Sequence, residues 1–396
     1  MSEKTISKSI AIKTKDPALK MLDILRGLAA FYVVMAHARW ILWEGFSSGY
    51  VLHPQQYNFF DKFLMYLFSA FKYGHFAVIF FFVLSGFVIH LRQANNGLFN
   101  KVYRLDLGYY FNRRLTRIYP PFIISLLLTF ALDSFGKQIY TPIYTGAVNY
   151  TLSFLHLNTN FDLVFFLKNL FFLQKDNSEL WGSNPVIWSL QMEWWFYMIY
   201  PIMLFLNKKS FIKMTAVVFI LSLIAIIAFE FYPNMIFKIL GYFLLWWFGA
   251  TLSEIYIHKG LHQKVSYSFL VLFLIVPSII HLKDFYADLI FAIGVCGIIS
   301  TIFYTYKYHQ IIKWPSFLTK LGKFSYTLYL VHSSIFIFIA AIYMRANTGH
   351  LPSTFYLMIV GVGFVLLFSN YLYFITEKPF LSQTKRKLPS QPKFDQ

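Results

Sequence analysis

Cysteine and charged residues are both scarce in this sequence. The 396 residues include a single cysteine, which excludes an intramolecular disulfide and a cysteine-based metal site. Only 13% of the residues are charged and 58% are hydrophobic, which is too apolar for an ordinary soluble domain. No small-residue cleavage pattern follows the first apolar run, so we expect that run to be retained. The composition predicts a polytopic membrane protein.

Long apolar runs are what the sequence has in abundance. Ten of them approach the roughly 20 residues that a helix needs to cross the hydrocarbon core. The predicted spans are residues 24–43, 74–91, 118–134, 185–206, 211–231, 236–257, 267–281, 285–305, 324–345 and 354–376. We therefore predict an all-α fold: a polytopic transmembrane helix bundle of about ten spans. Residues 21–380 form its membrane domain, between an N-terminal tail, 1–20, and a C-terminal tail, 381–396.

Basic residues predict the orientation of this bundle. Most of the 35 Lys and Arg residues fall in segments that a cytoplasmic N-terminus would place on the cytoplasmic side, so both termini are predicted to be cytoplasmic. The net charge of +18 would suggest a nucleic-acid partner in a soluble protein. Here the charge is spread over segments that face lipid headgroups. We expect contact with the lipid bilayer and no nucleic acid.

Two features of the sequence concern structure and not catalysis. The outer connection, residues 135–184, is too long for a structureless loop, so we expect amphipathic or re-entrant helices that cover a cavity. Ser85 and Gly86 lie within FFFVLSGF, which lacks the spacing of a nucleophile elbow. They are predicted to form a close helix–helix contact.

The first span contains ionisable residues, in the stretch LDILRGLAAFYVVMAH at 22–37. Arg26 and His37 are eleven residues apart, about three helical turns plus 20°, so they share one face with a rise of roughly 16 Å. Asp23 lies near Arg26. Buried ionisable groups in membranes are costly and usually functional. The alternative is that Arg26 extends to the cytoplasmic interface and His37 bonds a neighbouring helix.

Two further stretches carry candidate residues. YYFNRRLTRIYPPF places Arg114 and Arg117 on one helical face, just before two prolines that are expected to open the third span. Such arginines either bind phosphate or merely follow the positive-inside rule. NPVIWSLQMEWWFYMIYP carries Trp188 and puts Glu193 at a membrane depth similar to that of His37. Glu193 either orients the imidazole or pairs with an arginine, Arg26 or Arg39.

Taken together, these stretches resemble the acyltransferase-3 group of integral membrane acyltransferases, and the resemblance covers nearly the whole chain. It depends on the Arg-x10-His spacing in the first span and on RRLTRIYP at 113–120, together with FFFVLSGFVIH at 80–90. It depends also on the order of NPVIWSLQMEWWFYMIYP, FSYTLYLVH at 324–332 and TEKPF at 376–380.

The resemblance implies an O-acyltransferase of the bacterial inner membrane. Such an enzyme takes an acyl group, commonly acetyl, from cytosolic acyl-CoA and transfers it to a hydroxyl of a surface glycan, such as lipopolysaccharide O-antigen, or of a lipid-linked saccharide. Arg26, Arg114 and Arg117 match positions near the acyl-CoA donor. His37 matches the essential histidine. Further motif positions with no assigned role are Ser325, Tyr326 and His332.

The resulting hypothesis is that His37 deprotonates the acceptor hydroxyl while Glu193 orients its ring, without a metal. An acyl-histidine intermediate is the competing route. Some relatives carry an extracytoplasmic hydrolase-like domain that completes the transfer, and we expect this chain to lack one. It is therefore expected to act alone or to pass its acyl group to a separate transferase, as a donor subunit. The rival class is a transporter or flippase of a glycan or lipid precursor. The oligomeric state and the acceptor hydroxyl stay open.

Overall fold

The computed structural model describes residues 17–100, 102–103, 105–146, 157–206, 208–258, 284–309 and 315–381. Within these ranges the chain forms α-helices and short helical turns, with no β-strand. The α-helices are α1 (Pro17–Ile41), α2 (Phe59–Phe68), α3 (Gly74–Asn100), α4 (Leu107–Ile139), α5 (Thr141–Thr145), α6 (Leu163–Leu170), α7 (Ile187–Leu206), α8 (Phe211–Phe231), α9 (Met235–His258), α10 (Asp284–His309), α11 (Ser316–Ala346) and α12 (Tyr356–Thr376).

This bundle confirms the predicted all-α membrane fold. Eight stretches of the described chain are long and apolar enough to cross a membrane, and they lie in α1, α2 with α3, α4 and α8 to α12. Helix α7 matches the predicted span 185–206, although it is not one of those eight. The predicted span 267–281 and most of both tails lie outside the described residues, so the count of ten stays a prediction.

Helix α11 forms the centre of the bundle. In its most apolar stretch 78% of the residues are buried, against 22% in α8, which lies at the periphery. It packs on α1, α4 and α12. The contact with α1 is close, because a Cβ atom on Gly27 would lie 2.6 Å from the backbone nitrogen of Gly322. Any larger residue at that crossing would push the two helices apart.

Helices α3 and α9 make a second close contact. A Cβ atom on Gly86 would lie 1.9 Å from the carbonyl oxygen of Trp246, and one on Gly249 would lie 1.8 Å from that of Val83. Backbone-to-backbone approach of this kind requires glycine on both helices. The prediction that Gly86 and the preceding Ser85 lie at a close helix contact is confirmed.

The start of the third predicted span was wrong. Helix α4 begins at Leu107, where the Asp106 side chain caps it by accepting a hydrogen bond from the Tyr109 backbone N–H at 3.0 Å. Pro120 and Pro121 lie inside the helix, because neighbouring packed helices compensate in membranes for the missing backbone bonds. The arginines that precede the prolines therefore project from the helix body and not from its N-terminus.

The long outer connection is structured where it is described, as predicted. Asp133 on α4 accepts a hydrogen bond from the Ser183 backbone N–H at 2.7 Å, and Trp181 donates its indole N–H to the Leu126 carbonyl at 2.9 Å. These contacts fix the segment onto α4. Residues 147–156 lie outside the described ranges. No residue of the described part, 157–184, lines the arginine-end cavity described below, and the expectation that this connection covers an outer cavity stays a prediction.

Two ends of the bundle are named from their side chains. The arginine end is where α1 begins, α3 ends and α4 begins; it carries Arg26, Arg92 and Arg113. The histidine end is where α1 ends and where α3 and α10 begin; it carries His37 and His75. In the predicted orientation the arginine end faces the cytoplasm.

Candidate active site

A cavity of about 430 Å³ lies at the arginine end, between α1, α3, α4, α7 and α11. Its wall carries more arginines than carboxylates, which favours an anionic occupant. Guanidinium groups pair with phosphate oxygens through two parallel N–H donors. The charged lining residues are Arg26, Arg92, Arg113, Arg114 and Arg117, with Asp106 and Glu193.

Helix α4 supplies the arginines whose donors are least occupied. The guanidinium carbon of Arg114 lies 5.1 Å from the Tyr110 ring centre and 5.4 Å from that of Tyr197, so the aromatic rings hold its plane. Its buried Nε has no hydrogen-bond partner in the described chain. Among the described residues, neither Arg114 nor Arg117 has a carboxylate within 4.0 Å, whereas Arg26 pairs with Asp23 at 3.2 Å. The α4 arginines are thus available to a ligand.

Glu193 enters the same cavity from α7. Its carboxylate accepts a hydrogen bond from the Tyr197 hydroxyl, one helical turn away. That hydroxyl also lies 3.1 Å from Ser85 Oγ, which in turn accepts the Trp246 indole N–H at 3.3 Å. This chain of bonds orients one side of the carboxylate and leaves Glu193 as a negative group within a largely positive wall.

Two imidazoles meet between α1 and α11. His37 Nδ1 lies 2.7 Å from His332 Nε2, and the rings stack at 21°. His332 is fully buried, and its Nδ1 lies 2.8 Å from the Tyr329 carbonyl oxygen. Because a carbonyl only accepts, His332 Nδ1 carries a hydrogen, and in the neutral pair His37 Nδ1 must donate to His332 Nε2. His37 Nε2 keeps an unshared lone pair, which is what a base or nucleophile needs.

Tyr329 separates this histidine pair from the arginine cavity. Its side chain lines the cavity, its ring centre lies 5.9 Å from that of His332, and its hydroxyl lies 2.7 Å from Ser189 Oγ. Phe81 packs edge-on against it at 5.8 Å. His37 does not line the cavity. One aromatic side chain therefore lies between the arginine-lined cavity and the histidine pair.

Comparison with known proteins identifies the family of this chain. The family model described as an acyltransferase domain, Acyl_transf_3, matches residues 19–374. The chain belongs to the acyltransferase-3 family. The matched region is the family's acyltransferase domain, and the chain is an integral membrane protein.

A relative and the solved structures add little to this family assignment. An uncharacterised protein of Haemophilus influenzae is 33% identical over 152 residues, which are 36% of this chain and 54% of that protein. The chain thus matches about half the length of that relative. No solved structure matches.

The geometry of this acyltransferase corrects one expectation about Glu193. Depth along the span suggested that its carboxylate orients His37, but the partner of His37 is His332. Glu193 hydrogen-bonds to Tyr197 instead, and no arginine of the described chain, Arg26 and Arg39 included, lies within 4.0 Å of it. Equal depth does not fix the rotation of a helix about its own axis, and rotation decides which side chains meet.

The remaining candidates are divided between the two ends. Ser325 and Tyr326 line the arginine cavity, where Ser325 donates to the Gly322 carbonyl at 3.0 Å and Tyr326 to the Ile118 carbonyl at 3.1 Å. These bonds tie α11 to itself and to α4. Trp188 lies elsewhere, stacked at 12° on the His75 ring. Among the described residues no three His, Cys, Asp or Glu side chains converge as metal ligands.

Sequence reasoning missed several groups around these sites. Glu377, in the closing motif, is buried and accepts a hydrogen bond from the Thr327 hydroxyl at 3.1 Å, which joins α11 to the residue after α12. His75 and Asp288 form a pair between α3 and α10. An ionisable residue inside an apolar helix was the signal that pointed to His37, and the same signal was present at Asp288.

Proposed function

We propose that this acyltransferase takes an acyl group, most simply acetyl, from coenzyme A bound in the arginine cavity and transfers it to a hydroxyl of a cell-surface glycan. The observation that carries the proposal is that Tyr329 lines the arginine cavity and also contacts a histidine pair in which His37 keeps one free lone pair. A lipopolysaccharide O-antigen or a lipid-linked saccharide is the acceptor class.

The cavity suits the donor in charge. Coenzyme A carries a diphosphate and a ribose phosphate, and the unpaired guanidinium groups of Arg114 and Arg117 offer donors to such groups. Arg26 lies on α1, the helix that also carries His37. A donor bound at Arg26 could therefore extend along α1 toward the histidine. The flexible thioester arm would have to pass Tyr329, whose hydroxyl is held by Ser189.

His37 acts as the general base in the proposed reaction. Its Nε2 takes the proton of the acceptor hydroxyl while that oxygen attacks the thioester carbonyl carbon; the new C–O bond forms as the C–S bond breaks, and the thiolate leaves. The imidazolium still donates its Nδ1–H to His332 Nε2, and the Tyr329 carbonyl polarises His332 in the favourable direction. His332 takes the place that a carboxylate holds in a catalytic triad.

An acyl-histidine intermediate is the second route. His37 Nε2 would attack the thioester first, free coenzyme A would leave, and the glycan hydroxyl would then take the acyl group from the ring. Both routes use the same lone pair. Single-turnover kinetics distinguishes them, because only the second route releases coenzyme A in a burst before acceptor is added.

The proposed orientation places the arginine end in the cytoplasm of a bacterium and the histidine end toward the outside of its inner membrane. It agrees with the basic residues of the predicted cytoplasmic segments. Acyl-CoA is a cytosolic metabolite and surface glycans are assembled outside, so the two substrates would approach His37 from opposite ends.

The test measures release of free coenzyme A from acetyl-CoA by the purified protein in liposomes, with mixed bacterial surface glycans as acceptor. Wild type is compared with His37→Ala, and the matched control is His53→Ala, which removes an exposed histidine from the loop between α1 and α2. We expect release by wild type and the control and a loss of at least about 10²-fold in the His37 variant.

Other outcomes count against the proposal. Equal release by wild type and His37→Ala would remove His37 as base and nucleophile. Release by none of the three proteins, with transport of labelled glycan across the liposome membrane, would favour the flippase. Release only after a second protein is added would indicate a donor subunit.

A further inference from the structure

A second imidazole at the histidine end is paired with a buried carboxylate. His75, in the first turn of α3, places Nε2 at 2.9 Å from each carboxylate oxygen of Asp288 on α10. The Asp288 side chain is 1% exposed and also accepts the Tyr242 hydroxyl at 2.8 Å. A carboxylate taken out of water in this way is costly unless its partners stay in place, so the pair holds the imidazole firmly.

The geometry decides which nitrogen of His75 carries the hydrogen. A carboxylate accepts, so Nε2 is protonated, and in the neutral ring Nδ1 keeps its lone pair. No side chain or backbone group of the described residues bonds to Nδ1. The side chain is 45% exposed. His75 therefore presents one oriented hydrogen-bond acceptor to whatever approaches this end of the bundle.

Another histidine on the same helix shows what a structural pair looks like. His90 is fully buried, with Nε2 at 2.7 Å from Glu254 Oε1 and Nδ1 at 2.8 Å from the Tyr200 hydroxyl. Both of its nitrogens are used within the protein. His75 has the same kind of carboxylate partner but keeps one nitrogen unbonded and nearly half of its side-chain surface exposed. Holding two helices together therefore explains the Asp288 bond but not the free nitrogen.

The position of His75 relates it to the reactive histidine. A Cβ atom on the adjacent Gly74 would lie 2.7 Å from the Cβ of Ala36, the residue before His37. The His75 ring is also stacked on Trp188 of α7, with ring centres 5.8 Å apart and planes at 12°. Asp288 of α10 and Trp188 of α7 thus fix the ring, and the neighbouring residue Gly74 packs against the turn of α1 that carries His37.

We propose that His75, positioned by Asp288, binds a hydroxyl group of the acceptor saccharide at the histidine end. The inference rests on the proposed function and assigns the acceptor side of that reaction. The hydroxyl bound here is a second one, not the one that is acylated, so the contact orients the sugar while a neighbouring hydroxyl approaches His37 Nε2. No proton is transferred to His75 in this role.

A polyhydroxylated acceptor is the ligand class that such a site selects. The lone pair of Nδ1 requires a hydrogen-bond donor, and a sugar offers several hydroxyl donors on one rigid ring. The Asp288 carboxylate makes the imidazole a stronger acceptor, as hydrogen bonds polarise one another in a chain. Phosphates and carboxylates have no hydrogen to donate when ionised, so they do not match a neutral His75.

Three substitutions test the assignment. His75→Phe keeps the ring and its stacking on Trp188 but removes both nitrogens. Asp288→Asn offers an amide N–H to Nε2, which forces the hydrogen onto Nδ1 and turns the acceptor into a donor, as in the tautomer change of a triad Asp→Asn variant. Tyr242→Phe removes the other hydrogen bond to Asp288 and leaves the His75 lone pair in place. His53→Phe is the control for loss of an exposed histidine.

The measurement is the KM for the mixed glycans and for acetyl-CoA, with thermal unfolding of each variant as a check on folding. We expect the glycan KM to rise about tenfold in His75→Phe and in Asp288→Asn, with the acetyl-CoA KM unchanged and the double variant no worse than either single one. Tyr242→Phe, which removes one partner of Asp288, should raise the glycan KM less than either of these substitutions, and His53→Phe should leave both KM values near those of wild type.

Two results would overturn the inference. One is an unchanged glycan KM in a folded His75→Phe protein. The other is an equal rise in the KM for both substrates together with a lower unfolding temperature, as expected if the His75–Asp288 pair only holds two helices together. Binding of the same glycans without acetyl-CoA keeps this test separate from that of the proposed function. Wild type that binds glycan more tightly than His75→Phe but releases no coenzyme A would refute the reaction and support the site.

Discussion

The arginine cavity and the histidine pair place polar groups inside a membrane bundle in opposite ways. The cavity wall leaves the donors of Arg114 and Arg117 without carboxylate partners in the described chain, so these N–H groups can bind an anion. The histidine pair uses His332 completely and leaves a single lone pair, on His37. In the proposed reaction, the donor-binding region thus keeps several groups without carboxylate partners, and the reacting region keeps one lone pair in a defined direction.

The comparison predicts which kinetic constant each region controls. Groups that hold the donor equally in ground and transition states should change the KM for acyl-CoA, whereas groups that act on the reacting atoms should change kcat. The following four predictions, from the largest expected effect to the smallest, either sharpen that division or break it.

The largest effect is expected at His332. His332→Phe removes the acceptor that fixes the His37 tautomer, so we expect kcat to fall by about 10²-fold with little change in the KM for acyl-CoA. His332→Gln keeps a side-chain oxygen that accepts the Nδ1–H and should recover part of the loss. Steady-state kinetics on both variants, with unfolding temperature as control, measures this. A rise in KM without a fall in kcat would contradict the positioning role.

Arg114 should show the reverse pattern. Arg114→Ala removes a stacked guanidinium from the cavity, so we expect the KM for acyl-CoA to rise about tenfold and kcat to stay within a factor of two. Arg114→Lys should recover little, because an ammonium group lacks the planar fork that stacks between Tyr110 and Tyr197.

Arg345→Ala is the matched control for Arg114, since it removes an exposed arginine at the histidine end. It should leave both constants unchanged. An equal effect of the two substitutions would mean that net charge, and not the cavity, governs binding.

Glu193→Gln separates the two regions most directly. The amide keeps an acceptor for the Tyr197 hydroxyl but removes a negative charge from the cavity, so the KM for acyl-CoA should fall about two- to threefold at unchanged kcat. Measurement at two salt concentrations checks that the gain shrinks as charges are screened. A fall in kcat of about 10²-fold would instead make Glu193 part of the reaction, as its depth in the membrane had suggested.

Glu377 should have the smallest effect, on stability alone. Burial raises the pKa of its carboxyl above the ordinary value, against the opposing field of Arg117 and Arg26. A raised pKa means that the folded protein holds the proton more tightly than the unfolded chain, so stability is lost as pH rises through the folded-state value.

Glu377→Gln removes that titration and keeps the Thr327 bond. Its unfolding temperature relative to wild type should therefore be higher, by about 2 °C, at pH 8 than at pH 4. A difference that does not depend on pH would exclude the carboxyl as its source. Activity should not change.

Comparing predicted spans with the observed helices shows how much of the fold the sequence could predict. The predicted span 211–231 coincides with α8, Phe211–Phe231, because an apolar run with polar flanks has few ways to cross a bilayer. The start of α4 was missed by eleven residues, because two adjacent prolines signal a helix start in water but are tolerated within a packed membrane helix. Arg26, Arg114 and Arg117, the predicted donor-binding residues, line one cavity, and their binding of a donor stays a prediction.

Partners between distant helices were beyond sequence reasoning. His37 and His332 are 295 residues apart, and the two members of the His75–Asp288 pair are 213 apart. Neither separation leaves a local pattern. Glu193 was expected beside His37 from equal depth alone, and the rotation of α7 about its axis turned it toward the cavity instead.

The amino-acid sequence alone determined that this is a helical membrane protein with cations near one end of its first span and a histidine near the other, because hydropathy and charge act within windows of about 20 residues. The tertiary structure decided which polar groups are hydrogen-bonded within the protein and which stay free. That division depends on helix rotation and crossing, where a shift of one position turns a side chain by 100° and exchanges every partner it has.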